Sequence, residues 1–241
     1  MAISKCPKLA ACIALMLLGA AVCGTAALAA GPEGKPLIGA DLSGWKVRNP
    51  KFAETWQLVG NVMLDPSNPK KLVGQGSGGA ILFRTPVEHG SDIYTEQAFG
   101  DCEVHVEFMV PKSSNSGVYL MGQYEVQVLD SFGKPDDKLS AGDLGGIYNT
   151  RAPSINASKA PGEWQSFDIV FRAPRFDANG KKTENAKFVS VKLNGKEIHK
   201  DVEVKGPTGG QLDGGEKPTG PILLQGDHGI VAFRNLTVKP R

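Results

Sequence analysis

The sequence predicts an all-β fold, an antiparallel sandwich of the jelly-roll type. Three observations lead there. Apolar and polar residues alternate in short runs along most of the chain, and no useful helical period follows the N-terminal segment. The 30 glycines and 16 prolines in 241 residues suit many tight turns between short strands. Once that N-terminal segment is set aside, about 210 residues remain, a length at which a sandwich commonly forms a single domain.

The N-terminal segment reads as a secretory leader over residues 1–29. Lys5 and Lys8 precede the apolar run "LAACIALMLLGAAV", and Ala27-x-Ala29 supplies small residues at the expected cleavage site. The run is too short and alanine-rich for a membrane span. Cys23 suggests lipidation, but Val22 stands where a small residue is needed, so cleavage near Ala29 or Ala30 is the expectation. The protein is then exported, to the periplasm or the extracellular space, as one domain over residues 30–241. Cleavage removes three of the four cysteines and leaves Cys102 alone, without a disulfide partner. It also lowers Lys+Arg from 27 to 25, level with the 25 Asp+Glu. A formally neutral chain argues against a nucleic-acid or anionic-membrane partner.

The elements follow in order. "DPSNPKK" reads as a breaker. In "CEVHVEFMV", Cys102, Val104, Val106 and Phe108 share one face, with Glu103, His105 and Glu107 on the other. His105-x-Glu107 is half a metal site at most, and reads as a polar strand face. "NSGVYLMGQYEVQVLDS", Asn115 to Ser131, reads as a hairpin whose two-residue turn is Gly122–Gln123. "GDLGGIYNT" packs three glycines close together, a sign of backbone approaching a strand or a ligand. "WQSFDIVFRA" alternates Trp164, Ser166, Asp168 and Val170 against Gln165, Phe167, Ile169 and Phe171. "APRFDANGKK" is a second breaker. "KFVSVKLNGKEIHK" is a hairpin turning at Asn194-Gly195. Gly206 to Pro221 reads as a long surface loop, and "GIVAFRNLTVKP" as the last strand. Trp45, Trp56 and Trp164 read as core residues rather than sugar platforms.

Chemistry concentrates in the central hairpin. Glu125 and Gln127 share the face opposite Tyr124, Val126 and Val128, so that face is either solvated or the floor of a binding groove. Glu125-x-Gln127-x-x-Asp130 resembles the acidic strands of polysaccharide-cleaving sandwiches, but Asp130 joins the face only across a bulge. Gln127 cannot titrate, which breaks the pair of close carboxyls that a retaining glycosidase needs. His228, in the polar turn of "LLQGDHG", has the residue type to move protons near neutrality. Tyr148 has the shape to stack on a sugar ring.

Five stretches also carry a family resemblance: "ADLSGWK", "FGDCEVHVEFMVPKSSNSGVYLMGQYEVQVLDSFG", "GDLGGIYNTRAPSINASKAPGEWQSFDIVFRAPRFD", "VEVKGPTG" and "GPILLQGDHGIVAFRNLTVKP". In this order, from about Leu37 to Pro240, they resemble the 3-keto-disaccharide hydrolase family, also described as 3-keto-glucoside 1,2-lyases and 3-keto-2-hydroxy-glucal hydratases. The resemblance implies a concanavalin A-like jelly roll and a glycoside already oxidised at sugar C3. It further implies removal of the C2 proton, β-elimination of the C1 substituent and hydration of the resulting glucal. On that chemistry Glu125 is the general base or acid, His228 its complement, and Gln127 a donor that orients substrate. Asp130 and Tyr148 belong to the pocket wall, and Asn115 and Asp143 complete the candidate substrate-binding set. A divalent metal at the ketone would suit the reaction, but the sequence offers no assignable ligands. A sugar C3-oxidoreductase is the implied functional partner. A non-catalytic carbohydrate-binding module and an ordinary endo-glucanase are the alternatives, because a sandwich does not dictate its function.

Overall fold

In the computed structural model the described residues are Met1 and residues 34–241. The expected leader, with Cys23 and its cleavage site, lies outside the described residues apart from Met1. The chain opens with β1 (Lys35–Pro36), β2 (Trp45–Val47), β3 (Trp56–Asp65), β4 (Asn68–Ser77) and β5 (Ile81–Arg84). The middle comprises β6 (Ile93–Phe99), β7 (Cys102–Met109), β8 (Asn115–Leu120), β9 (Tyr124–Leu129) and β10 (Gln165–Arg172). Then come β11 (Arg175–Phe176), β12 (Lys182–Glu184), β13 (Ala186–Leu193), β14 (Lys196–Val204), β15 (Gly220–Leu224) and β16 (Val231–Pro240).

These strands form two packed antiparallel sheets, a jelly-roll sandwich. The larger sheet runs β14-β13-β10-β7-β16-β5-β3-β4, with β1 beside β16. The smaller runs β2-β6-β15-β8-β9, and β11 pairs with β12 separately. Between the sheets, Val104, Val106 and Phe108 of β7 and Phe167, Ile169 and Phe171 of β10 meet Val118, Leu120, Val126 and Val128 of the smaller sheet. Phe108 and Phe167 stack with ring centroids 4.8 Å apart, an arrangement worth about 0.5–1.5 kcal/mol beyond burial. Cys102 and Trp56 lie in the same core, while Trp45 packs partly against it. Burial pushes the Cys102 thiol up to about 12, so it behaves as a small apolar side chain. No helix among the described residues is long and apolar enough to cross a membrane.

The alternating patterns of β7 and β10 hold residue by residue, and Asn194 (φ 52°) and Gly195 (φ 79°) make the turn between β13 and β14. Three expectations change. "DPSNPKK" is a hairpin rather than a break: Asp65 accepts hydrogen bonds from the Ser67 N–H at 2.8 Å and hydroxyl at 2.6 Å, turning β3 directly into β4. Two 3₁₀ turns, Pro50–Thr55 and Asp136–Lys138, are too short to leave a helical period. The central hairpin turns over three residues, Met121–Gln123, instead of two.

Candidate active site

The outward face of the smaller sheet holds the site. Tyr119 of β8 pairs directly with Glu125 of β9, and Gly117 with Gln127, so these side chains project away from the core on neighbouring strands. That face is covered by two loops instead of water. Residues 145–148 run along the free edge of β9: the Gly145 N–H donates to the Gln127 carbonyl at 2.8 Å, Gln127 N–H to Gly146 at 2.9 Å, and Tyr148 N–H to Glu125 at 3.2 Å. The glycines of "GDLGGIYNT" therefore serve a close approach of backbone to strand. A Cβ at Gly146 would lie 2.3 Å from the Ala141 carbonyl oxygen. The loop 205–219 closes the other side, with the Glu125 N–H donating to the Thr208 hydroxyl at 2.9 Å.

Under these loops lies a cavity of about 110 Å³. Glu125, only 2% exposed, is at its floor with Gln127, 4% exposed. Tyr119, Tyr148, Asn115, Gln225 and His228 complete its side-chain wall, with the backbone of Gly209 and Gly210. Burial pushes the Glu125 carboxyl up to about 7. The Tyr119 hydroxyl bond and the charge of His228 pull the other way, while Asp92 and Asp227 push it higher. Gly117 makes room for this carboxyl, since a Cβ there would lie 2.1 Å from Glu125 Oε1. Gln225 donates from Nε2 to the Tyr119 hydroxyl at 3.3 Å, extending the chain Gln225–Tyr119–Glu125. The amide oxygens of Asn115, Gln127 and Gln225 are buried without a hydrogen-bond partner. Three such acceptors in one small cavity suit a ligand carrying several O–H donors.

His228 sits at the mouth, about half exposed (53%), with Nδ1 bonded to the Asp227 carboxylate. The loop that carries it is anchored from below. Buried Arg84 donates from Nε to the Gly226 carbonyl at 2.8 Å, and the Gly226 N–H donates to Asp92 at 3.0 Å. Asp92 in turn faces Arg48 at 3.2 Å, and Arg48 donates to the carbonyls of Gly210 (2.9 Å) and Gln211 (3.0 Å). One buried carboxylate thus ties the His228 loop to the covering loop 205–219.

The profile of the 3-keto-alpha-glucoside-1,2-lyase-like domain family matches residues 34–239. The chain belongs to this family. Membership places it among glycoside-processing, carbohydrate-active enzymes. Three Parabacteroides distasonis proteins of known structure, provisionally described as glycosyl hydrolases, are similar to it. The first is 28% identical with a TM-score of 0.63, covering 87% of this chain and 84% of its own. A second is 22% identical with a TM-score of 0.54, covering 87% and 100%. The third is 18% identical with a TM-score of 0.56, covering 85% and 92%. At those identities the latter two speak to the fold alone. Among curated proteins no match was found.

Within this family member, five of the seven sequence-derived site residues line one cavity: Glu125, Gln127, Asn115, Tyr148 and His228. The other two do not. Asp130 lies just past the end of β9, and the β8–β9 register contains no bulge that would bring it onto the Glu125 face. Its carboxylate accepts from the Ser113 N–H at 2.9 Å and caps the loop. Asp143 is spent on structure as well, bound by Lys134 Nζ at 2.6 Å and by the Ser140 N–H and hydroxyl at 2.7 Å each. Sequence reasoning missed Tyr119, Gln225 and the Arg48–Asp92 tie. Tyr119 was legible from register alone, since the odd positions of β8 share the outward face with Glu125 and Gln127; the loop partners leave no period to read. Among the described residues no group of three or more His, Cys, Asp or Glu side chains is placed to hold a metal ion. The cavity wall offers only Glu125 and His228 as strong ligands.

Proposed function

We propose that the protein cleaves 3-keto-glycosides by proton abstraction at C2, elimination at C1 and hydration. The observation that carries this reading is a single buried carboxyl, poised near pH 7, at the floor of a cavity lined with amides. A ketone at C3 acidifies the C2 proton, and a carboxylate with a pKa near the working pH is suited to remove it. The electron pair of the C2–H bond becomes the C1–C2 double bond as the C1–O bond breaks, and the leaving oxygen takes a proton. His228 is the donor: Asp227 holds Nδ1, leaving Nε2 as the transferable position. Water then adds its hydroxyl at C1 and a proton at C2, giving the free 3-keto sugar. Gln127, Asn115 and Gln225 bind sugar oxygens, and Tyr119 keeps Glu125 oriented.

At about 110 Å³ the cavity has no room for a polymer chain, which supports action on small glycosides. Among the described residues one carboxyl lines it, so the two-carboxylate arrangement of an ordinary glucanase has no support. The same reading includes export of the chain after loss of the leader, and an upstream oxidation at sugar C3 as the reaction class that supplies its substrate. An N-terminal residue near Ala30 in protein recovered from its host would bear out the first; lipidated Cys23 would refute it.

The deciding experiment is cleavage of a 3-keto-glucoside and of its unoxidised parent in D2O. Elimination followed by hydration consumes only the ketone and leaves deuterium at C2 of the product, beyond the level of an enzyme-free control. Direct hydrolysis leaves hydrogen at C2, and a purely sugar-binding protein consumes neither compound. Either of those outcomes would overturn the proposal.

A further inference from the structure

A larger cavity lies on the opposite side of the sandwich, on the outward face of the larger sheet. It encloses about 690 Å³ and is floored by β16, β7, β10 and β13, which lie side by side. At about 4.8 Å between strands the floor spans roughly 14 Å, more than one sugar ring. None of its residues belongs to the Glu125 cavity.

Its polar groups are sunk and held in place. His105 and Glu107 keep only 12% and 14% of their side chains exposed, although both stand on the outward face of β7. His105 Nδ1 is 2.7 Å from Asp168 of β10. Glu107 accepts from Arg234 Nε and from Asn235 Nδ2, both at 2.7 Å. The Arg234 guanidinium lies 4.0 Å over the Trp164 ring, which packs on a second apolar cluster. A wall of ordered donors and acceptors beside an aromatic edge needs no rearrangement to receive hydroxyl groups, so little ordering cost opposes binding.

Charge selects among ligands. Glu103, Glu107 and Asp168 stand against Lys159, Lys192 and Arg234 within the same lining, with His105 paired to Asp168, so the net charge stays near zero. Neither a polyanion nor a polycation gains a net field there. We infer that this face is a second carbohydrate-binding site, which takes a neutral oligosaccharide chain laid across β16, β7, β10 and β13. It has room for a chain of several rings, whereas the Glu125 cavity is about six times smaller. The inference is independent of the chemistry assigned to Glu125.

Calorimetric titration of the full chain with cellohexaose, laminarihexaose and maltohexaose tests it, with the matching disaccharides and a polygalacturonate oligomer as further arms. At least one neutral hexasaccharide should bind, at least tenfold more tightly than its disaccharide. Ser190→Trp, which fills the cavity from an outward position of β13, should weaken that binding at least tenfold and leave 3-keto-glucoside turnover unchanged. Ser166→Tyr, on β10, provides an independent obstruction should the first variant fold poorly. The inference is overturned if no neutral hexasaccharide binds, if affinity is the same for two rings as for six, or if binding survives in both variants when folded. It is also overturned if only the anionic oligomer binds.

Discussion

Replacing Glu125 by Gln keeps the shape of the side chain and removes its titration, so it isolates what burial of this carboxyl costs the fold. In the unfolded chain the group titrates at the ordinary value of 4.5, and in the folded chain at about 7. Between those values the unfolded state binds fewer protons, so stability falls as pH rises. The sign is the reverse of the usual carboxylate, whose folded pKa is depressed. Below pH 4.5 both states are protonated and the group contributes nothing. Across the window the loss accumulates at about 1.4 kcal/mol per pH unit, reaching about 3 kcal/mol above pH 7. That is a sizeable share of the 5–15 kcal/mol typical of a folded domain. Glu125→Gln should therefore be more stable than the native chain by about 3 kcal/mol at pH 8 and nearly equal to it at pH 4.5. Urea denaturation at half-unit steps from pH 4.5 to 8.5 measures the difference directly. The same variant should lose about 10²–10⁴-fold in turnover of a 3-keto-glucoside, the usual scale of a general base. A stability difference that is flat with pH would refute the raised pKa. Near-native turnover would refute the role.

Three further outcomes follow, two of them from the neighbours of that carboxyl. Tyr119→Phe removes a hydrogen bond that holds the Glu125 pKa down, so the acidic limb of the kcat/KM profile should move to higher pH; an unmoved limb would separate Tyr119 from the base. Gly117→Ala places a Cβ on the Glu125 carboxylate, and displacement of a catalytic group by about 1 Å should cost on the order of 10²-fold in kcat, checked by steady-state kinetics on the folded variant. Cys102→Ser puts a hydroxyl in the core at a cost of about 1–3 kcal/mol and should leave turnover of folded protein intact; native Cys102 should also resist thiol reagents until the protein is denatured.

Most of the sheet framework was legible because period two survives wherever one face is buried. β7, β9 and β10 show it, and their inward residues are those the alternation picks out, whereas in β13 a bulge moves the inward positions from Ala186 and Phe188 to Val191 and Leu193. The candidate site was legible where chemistry sits on a strand, at Glu125 and Gln127, or in a motif of unusual composition, at His228. It failed where a polar residue does a structural job. Asp143 and Asp130 have the residue type of binding groups, yet their oxygens are satisfied by Lys134, Ser140 and Ser113. Nothing in the local sequence distinguishes a loop-capping carboxylate from a ligand-facing one; the distinction lies in which distant backbone comes close. The covering loops raise the same difficulty, since Arg48 and Gln211 are 163 positions apart.

The hairpin turn shows how much rested on a single residue of register. A two-residue turn at Gly122–Gln123 pairs Leu120 with Glu125, and paired residues share a face. Leu120 is fully buried in the inter-sheet core, so that register would drive the carboxyl between the sheets. The apolar positions Val118 and Leu120 on β8 and Tyr124, Val126 and Val128 on β9 are all even-numbered, and they face one another only if the turn holds an odd number of residues, here three. The chain meets this demand by placing Met121 at φ 58° and Gly122 at φ 63°, with the Gln123 N–H donating back to Leu120 at 3.1 Å. A methionine in the left-handed region costs about 1 kcal/mol, which the register of the whole hairpin offsets. Tyr119 is thereby set opposite Glu125 and Gly117 beside it, so the partner that tunes the carboxyl and the space that admits it both follow from the turn.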